Sequence, residues 1–364
     1  MAYTLVHCSD VHLETVFTEL RGGARRRAAL ADAFVRIVDL ACERKADALT
    51  IGGDLFESAR ASEQTARFLA AQFARFAGAI FIAPGNHDPH GESALLARND
   101  LPANVRIFRE AAWSAFPLAD DLTLYGYGHT PAEPGRPFAD ARFDRPGVRI
   151  ALVHGSDEER CPPNKHATAP FTALEVAASG ATLLLTGHYH GGYVAEHDGS
   201  PLIAYPGSPE PIKFGERGTH GALVVTIDGG AVAIESVEIA RTRLLDLDIS
   251  VDGASSEHAI AALLEAALVP YGVDDYVRAR LIGTIQSGTR IDRAFLEERS
   301  GPRLGALELS DATVSADYDA LAREPNVRGH VVNDLLRRAR DGDTDADAAL
   351  RYVVAAFAGG EIAP

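Results

Sequence analysis

Residues 79–88 read AIFIAPGNHD, a short apolar run that stops at a cluster of glycine, amide, imidazole and carboxylate groups. Four to eight apolar residues bounded by turn residues are typical of a strand buried between helices. The same pattern occurs in LVHCSDVH (5–12), ALTIGGD (48–54), IALVH (150–154) and LLLTGHYH (183–190). Because ligands bind beyond the carboxyl ends of strands in such sheets, we expect these five loops to converge on one pocket.

Helical patterns separate the first three of these strands. Apolar residues recur at helical spacing from Ala24 to Lys45, which predicts an amphipathic helix. A second helix is predicted from Ser62, as its N-cap, to Phe76. The alternation of strands and helices predicts an α/β fold.

The second half of the chain has a different pattern. After Tyr193 the sequence predicts hairpin-like strands, and Asp-Gly-Gly at 228–230 is a strong turn signal. Further elements are predicted as a helix (257–268), a β-rich stretch (276–291) and two helices (331–340 and 346–357). We place a domain boundary near residue 243, between a domain of residues 1–243 and a smaller domain of residues 244–364.

Composition limits the classes of partner. The 364 residues include 35 Lys and Arg and 51 Asp and Glu, so the formal net charge is −16. Phosphates repel such a chain, so a nucleic-acid role would need bound metal, a local basic patch or a partner. Three cysteines without a CxxC pair argue against a disulfide framework and predict a cytoplasmic protein. We also expect no signal peptide and no membrane-spanning segment.

The polar residues of the five loops form one set of candidate metal ligands and catalytic groups. These residues are Asp10, His12, Asp54, Asn86, His87, Asp88, His154, His188 and His190. Singly, each is more often a turn or packing residue, but packing does not explain the set. Carboxylate and imidazole groups without thiolate suit manganese, iron or zinc. A bridging carboxylate would create a dinuclear centre about 3.5–4 Å across, which suits phosphoester hydrolysis. A histidine not needed for coordination could donate a proton.

These motifs, in this order, resemble those of the calcineurin-like metallophosphoesterases. Within that superfamily, IGGDLFE (51–57) resembles the GDLFD element of SbcD- and YhaO-type DNA repair exonucleases. YPGSP (205–209) followed by FGE (214–216) is similar to the same branch. Two positions depart from its pattern, since Glu57 replaces the usual Asp and Ala181-Thr182 replaces Asp-Tyr.

The resemblance implies a role for each motif residue. Asp10, His12 and His190 would hold one metal ion, Asn86, His154 and His188 would hold the second, Asp54 would bridge both, and His87 would be the catalytic histidine. The implied cofactors are two divalent metal ions, with Mn²⁺ as the ion typical of the branch. The implied fold is a two-sheet β-sandwich flanked by helices, with a smaller C-terminal α+β capping domain.

The resemblance further implies a DNA exonuclease, or an endonuclease, that acts with an SMC-like ATPase of the SbcC/YhaN type. A homodimer is left open, and no membrane is expected. One alternative is a small-molecule phosphodiesterase, which the acidic composition favours and the motifs at 55–56 and 207–209 disfavour. The other alternative is a non-catalytic scaffold that regulates an ATPase, against which the intact ligand set and His87 argue. An SMC-like ATPase in the neighbouring gene would favour the DNA interpretation.

Other residues allow two interpretations. Arg21, Arg25, Arg26 and Arg27 could contact a phosphate backbone or form a solvated helix start. Tyr189 could stack on a base or pack within the protein. Histidines outside the motif set, such as His7 and His129, are interpreted as structural or surface residues.

Overall fold

The computed structural model describes residues 2–17, 22–57, 61–91, 95–97, 101–131, 135–161 and 167–357. These residues form two compact units; the first ends at Thr242, and the second contains the residues from Arg243 onward together with Gly22. None of the helices within these ranges is long and apolar enough to cross a membrane.

The first unit alternates strands and helices. Its strands are β1 (Tyr3–Cys8), β2 (Ala48–Ile51), β3 (Ala79–Ile82), β4 (Val105–Ile107), β5 (Ser114–Ala119), β6 (Leu122–Gly126), β7 (Val148–His154), β8 (Leu183–Gly187), β9 (Tyr193–His197), β10 (Ser200–Tyr205), β11 (Gly221–Asp228) and β12 (Ala231–Glu238). Its helices are α1 (Gly23–Glu43), α2 (Glu63–Arg75) and α3 (Ala173–Ala178). Among the described residues, the strands form two six-stranded sheets, ordered β12-β11-β1-β2-β3-β4 and β5-β6-β7-β8-β10-β9.

Strand direction brings the predicted loops to common edges. In the first sheet β1, β2, β3 and β4 run parallel, so the loops after β1, β2 and β3 leave from the same edge. In the second sheet β6, β7, β8 and β10 are parallel, so the loops after β7 and β8 share an edge as well. Two local predictions are also confirmed. Ser62 caps α2, since its hydroxyl accepts the Thr65 N–H at 3.2 Å, and β11 pairs with β12 across the turn at 228–230.

Apolar side chains join the two sheets into a sandwich. Leu5 and Phe81 of the first sheet pack in one buried cluster with Ile150 and Leu183 of the second. The outer face of the first sheet packs against α1 and α2, and the outer face of the second packs against α3 and the loop before it. The predicted two-sheet sandwich with flanking helices is confirmed.

The second unit has its own core. Its elements are β13 (Arg243–Ser250), α4 (Glu257–Leu268), β14 (Asp275–Gln286), α5 (Arg293–Ser300), β15 (Ala306–Ala316), α6 (Tyr318–Ala322), α7 (Val327–Arg340) and α8 (Thr344–Phe357). The three strands are parallel, and Leu264 of α4 and Leu296 of α5 pack against them. Helix α5 and strand β15 were not predicted, because charged residues dominate α5 and small polar residues interrupt the apolar alternation of β15.

Substitution of Phe81 tests how much the core between the two sheets contributes to stability. Its side chain is fully buried, and its ring centroid lies 4.9 Å from that of Phe116. We expect Phe81→Ala to lower the free energy of unfolding by about 3–5 kcal/mol, because the substitution leaves a cavity. Urea denaturation followed by circular dichroism measures the loss. Phe116→Ala removes the same side chain at a position that is 36% exposed, so it should cost less than half as much; equal losses would contradict this account.

Candidate metal centre

The five loops bring the predicted ligands together in two groups. Within each group the ligand atoms lie within 4.8 Å of one another; the groups are Asp10, His12, His190 and Asp54, His154, His188. Asn86 joins the second group, since its Oδ1 lies 3.0 Å from Nε2 of His154. Asp54 stands between the groups, because its Oδ2 is 3.7 Å from Nε2 of His12 and 3.2 Å from Nε2 of His154. The geometry therefore suits a bridging role for Asp54.

Unusual backbone angles place several of these side chains. Asp10, His12, Asp54 and His188 have φ values of 53°, 49°, 50° and 108°. Non-glycine residues rarely adopt positive φ, and such strain is concentrated at functional sites. Surrounding hydrogen bonds hold these conformations, since the N–H of Asp10 donates to the Gly53 carbonyl and the N–H of His12 to the Asp54 carbonyl, both at 3.0 Å.

The second group presents lone pairs to a common point. Nδ1 of His154 lies 2.8 Å from the carbonyl oxygen of Gly52, which can only accept, so Nδ1 carries the proton. In the neutral ring Nε2 is then an acceptor, and it faces the oxygens of Asn86 and Asp54. Burial lowers the pKa of His154, but the Asp54 carboxylate more than offsets this and raises it to about 9, so a second proton on Nε2 is favoured near neutral pH. A divalent ion bound between Nε2 and these oxygens would take the place of that proton.

The first group contains a buried nitrogen that suits a metal ion. Nδ1 of His12 is hydrogen-bonded to Oε2 of Glu57 at 2.9 Å. Nε2 of His12 finds no hydrogen-bond partner in the described part of the chain and lies 3.9 Å from Oδ1 of Asp10. A buried polar atom without a partner is costly, and a metal ion bound between His12 and Asp10 would remove that cost. Both groups therefore fit divalent metal ions with nitrogen and oxygen ligands.

His87 lies beside the two groups and remains accessible. Its backbone N–H donates to Oδ1 of Asp54 at 2.9 Å, and its side chain is 40% exposed. Nδ1 of His87 lies 3.2 Å from Oε1 of Glu57, and this contact raises the pKa of His87 to about 9. The same contacts with His12 and His87 lower the pKa of Glu57. Glu57, which stands where the resembled branch has Asp, thus links a candidate ligand to the candidate catalytic histidine.

Asp88 supports the site from behind. Its buried carboxylate accepts the backbone N–H groups of Gly85, Asp54 and Leu55 at 2.6, 3.1 and 2.7 Å. It therefore ties the loop after β2 to the loop after β3. Burial, with the Asp54 charge second, raises the pKa of Asp88 to about 6. Asp88 belongs to the predicted set of loop residues, but neither its motif nor the family resemblance indicated this supporting role.

Glu216 is a second supporting residue, and its role could not be predicted from its motif. Its Oε1 lies 2.6 Å from Nδ1 of His190, and its Oε2 accepts the backbone N–H of Ile212 at 2.8 Å. The Phe-Gly-Glu run indicated a family resemblance but no chemical role.

The structure decides several of the open interpretations. Arg26 is buried and donates to the carbonyl oxygens of Pro211 and Ile212 at 2.6 and 3.2 Å, so it is a structural residue. Arg25 and Arg27 are exposed, whereas Arg21 lies outside the described residues.

Tyr189, His7 and His129 have packing roles. The hydroxyl of Tyr189 donates to the carbonyl of Asp157 at 2.8 Å, and its ring packs on Tyr205. His7 and His129 are buried and hydrogen-bonded, and Nε2 of His129 lies 2.7 Å from the carbonyl oxygen of His154.

Comparisons with known proteins agree with the motifs. A sequence profile described as calcineurin-like phosphoesterase matches residues 3–192. The chain is 27% identical over 255 residues to the uncharacterized metallophosphoesterase YhaO of Bacillus subtilis, covering 64% of this chain and 59% of YhaO. It is 28% identical over 273 residues to the DNA double-strand break repair protein Mre11 of Methanopyrus kandleri, covering 67% of this chain and 58% of Mre11. The chain thus spans less than two thirds of either relative.

Among solved structures, a dimetal phosphatase from Danio rerio matches with a TM-score of 0.41 and 10% identity. That match covers 64% of this chain and 98% of the phosphatase.

Gly85 leaves no room for a side chain beside Asp54. A Cβ atom at Gly85 would overlap Oδ1 of Asp54 and lie 2.6 Å from its backbone nitrogen. We expect Gly85→Ala to displace this carboxylate and weaken Mn²⁺ binding at least about 10-fold, as measured by isothermal titration calorimetry on metal-free protein. In the control Gly91→Ala, the new methyl group would meet its nearest atom, in Pro131, at 3.5 Å, and binding should be unchanged. Wild-type affinity in Gly85→Ala would exclude this packing constraint.

Proposed function

Because the chain belongs to the calcineurin-like phosphoesterase family, as its motifs predicted, we propose that it is a two-metal phosphodiesterase that hydrolyses DNA. Members of this family are hydrolases of phosphoester bonds that hold two divalent metal ions. The observation that carries the proposal is the pair of ligand groups that share Asp54, with the accessible His87 beside them.

The proposed ligands divide into two metal positions. The first position consists of Asp10, His12 and His190, and the second of Asn86, His154 and His188, with Asp54 common to both. When bound, two such ions stabilise the charge on a phosphoryl group and lower the pKa of water. We propose Mn²⁺ as the ion, since the ligands are oxygen and nitrogen atoms without thiolate and the resembled branch uses Mn²⁺.

His87 is the proposed catalytic residue. Its exposed side chain can reach a bound phosphodiester, and a proton on its ring can pass to the leaving oxygen. Glu57 holds Nδ1 of this ring at 3.2 Å and favours the protonated form. Cations bound nearby would lower the pKa of His87, so the Glu57 contact helps to keep the proton available near neutral pH.

DNA is the proposed substrate because of the similarity to Mre11, whose name describes double-strand break repair, and because of the motifs at 51–57 and 205–216. We further propose an SMC-like ATPase as partner and residues 244–364 as a capping and partner-binding domain. With a net charge of −16, the chain needs local cations or a partner to hold a polyanion. Lys213 and Arg217 are exposed on the segment that also carries Glu216. The Arg217 carbonyl also packs against Gly191, next to His190.

A small-molecule phosphodiesterase is the second candidate, and the net charge of −16 is the observation that favours it. Such an enzyme would use the same two metal positions and His87. It would need no contact with a long phosphate backbone.

Cleavage of end-labelled duplex and single-stranded DNA in Mn²⁺ tests the proposal. We expect His87→Gln to lower the rate by about 10²–10⁴-fold, because a proton donor is lost. Asp54→Asn should abolish cleavage, because both metal positions lose their shared ligand. His197→Gln, a partly exposed histidine beside Asp198, is the control and should cleave as wild type does. Turnover of a small phosphodiester without DNA cleavage would favour the second candidate, and no turnover with metal bound would contradict both.

The exposed cations Lys213 and Arg217, on the segment that carries Glu216, give a separate test of the DNA interpretation. In the His87→Gln background, which limits cleavage, Lys213→Ala combined with Arg217→Ala should weaken DNA binding. The slope of log affinity against log salt concentration should fall by about 2. Fluorescence anisotropy at several salt concentrations measures both quantities. Arg67→Ala combined with Arg106→Ala removes two exposed cations on α2 and β4 and is the matched control. An unchanged slope in the first pair would show that these cations do not contact phosphates.

A further inference from the structure

The histidines of the first metal position are held by carboxylates. Nδ1 of His12 lies 2.9 Å from Glu57, and Nδ1 of His190 lies 2.6 Å from Glu216. A carboxylate that accepts the Nδ1 proton fixes the tautomer and ring orientation, leaves Nε2 for a metal, and makes that nitrogen a stronger donor.

The second metal position lacks this support in the described structure. Nδ1 of His154 donates to the neutral carbonyl oxygen of Gly52 at 2.8 Å. The backbone N–H of His188 donates to Asp10, at 3.1 and 3.0 Å from its two carboxylate oxygens. Asp88 lies behind the shared Asp54, but its oxygens accept backbone N–H groups. The two positions therefore differ in the groups that surround them.

The two metal positions also differ in the negative charge around them. The first position has the carboxylate of Asp10 as a ligand, with Glu57 and Glu216 one hydrogen bond further out. The second position has the neutral ligand Asn86 and two imidazoles. Since Asp54 is common to both, the additional negative charge favours a cation at the first position.

Glu216 is fixed in place on both of its oxygens. Oε1 faces His190, while Oε2 accepts the N–H of Ile212 at 2.8 Å. The carbonyl of Ile212 in turn accepts the buried guanidinium of Arg26 at 3.2 Å, and that guanidinium lies 3.9 Å from the ring centroid of Phe17. The side chain of Glu216 is only 12% exposed. It therefore has little freedom to leave His190.

We propose that Glu216 is a positioning residue for His190 and that, together with Glu57, it makes the first metal position the tighter of the two. This inference rests on the proposed function for the identity of the ligands. It concerns the order in which the ions bind, and neither the substrate nor the rate of hydrolysis enters it.

The substitution Glu216→Gln separates this role from simple packing. Both oxygens of Glu216 accept N–H donors, and an isosteric glutamine has only one oxygen. If its amide nitrogen faced His190, Nδ1 would have to accept, which would place the proton on Nε2 and block the metal. If the amide nitrogen faced Ile212 instead, two donors would oppose each other and the loop would shift. Either arrangement weakens binding at the first position.

Mn²⁺ titration of metal-free protein, followed by calorimetry and by the electron paramagnetic resonance signal of free Mn²⁺, provides the test. Asn86→Ala disables the second position and isolates the first, whereas His190→Ala isolates the second. We expect tighter binding in Asn86→Ala than in His190→Ala. Adding Glu216→Gln should weaken binding about 10–100-fold in the Asn86→Ala background and less than about twofold in the His190→Ala background. Circular dichroism verifies that each variant is folded.

Glu235→Gln is the control, because Glu235 is an exposed carboxylate paired with Arg44 on the surface, and it should change neither affinity. Equal affinities in the two backgrounds would overturn the proposed order of binding. Equal weakening by Glu216→Gln in both backgrounds would indicate a general structural role and overturn the positioning role. A wild-type protein that binds no Mn²⁺ would overturn the inference as well. Mn²⁺ binding in the expected order without DNA cleavage would contradict the proposed function alone.

Discussion

The buried carboxylate of Asp54 is the constraint on which the rest of the site depends. Its residue is 2% exposed, and a buried carboxylate requires positive charge or several hydrogen-bond donors nearby. The N–H of His87 supplies one donor, and His12 and His154 bring ring nitrogens within 3.7 and 3.2 Å. Burial would raise the pKa of Asp54, yet the neighbouring His154 lowers it. Two divalent cations would satisfy the same requirement more completely.

Parallel strands make this arrangement rigid. The candidate ligands follow β1, β2, β3 and β8 within a few residues, and His154 is the last residue of β7, so the packed sheets hold the chain at each ligand. The backbone is strained where the side chains must turn inward, as at Asp10 and His188. Glycines allow the loops to approach closely, since a methyl group at Gly85 would overlap Asp54. A rigid scaffold with short loops keeps ligands at metal-binding distances before any ion arrives.

Supporting carboxylates around the site differ in what they contact. Glu57 and Asp88 have different tasks although both lie on the loops after β2 and β3. Glu57 contacts His12 and His87, whereas Asp88 accepts only backbone N–H groups from two loops. Glu57 therefore orients two imidazole rings, whereas Asp88 holds the backbone of the loops that carry the candidate ligands. Glu216 belongs with Glu57, because it too contacts an imidazole.

Apolar runs and turn residues are local signals, and they were enough to predict the α/β alternation and the five polar loops that carry the candidate ligands. The two-sheet sandwich and the division of the ligands between two metal positions came from the resemblance of the motifs to the metallophosphoesterases. Local signals were also enough to predict helix α2 with its Ser62 cap and the β11–β12 hairpin. The inward turn of Arg26 and the contact of Glu216 with His190 appeared only in the folded chain. These partners are 185 and 26 residues apart, and contacts between distant residues leave no periodicity in the sequence. A charged residue in a motif is therefore the same letter of the sequence whether its side chain faces solvent, substrate or a buried carbonyl. Only the packing of the folded chain distinguishes these three environments.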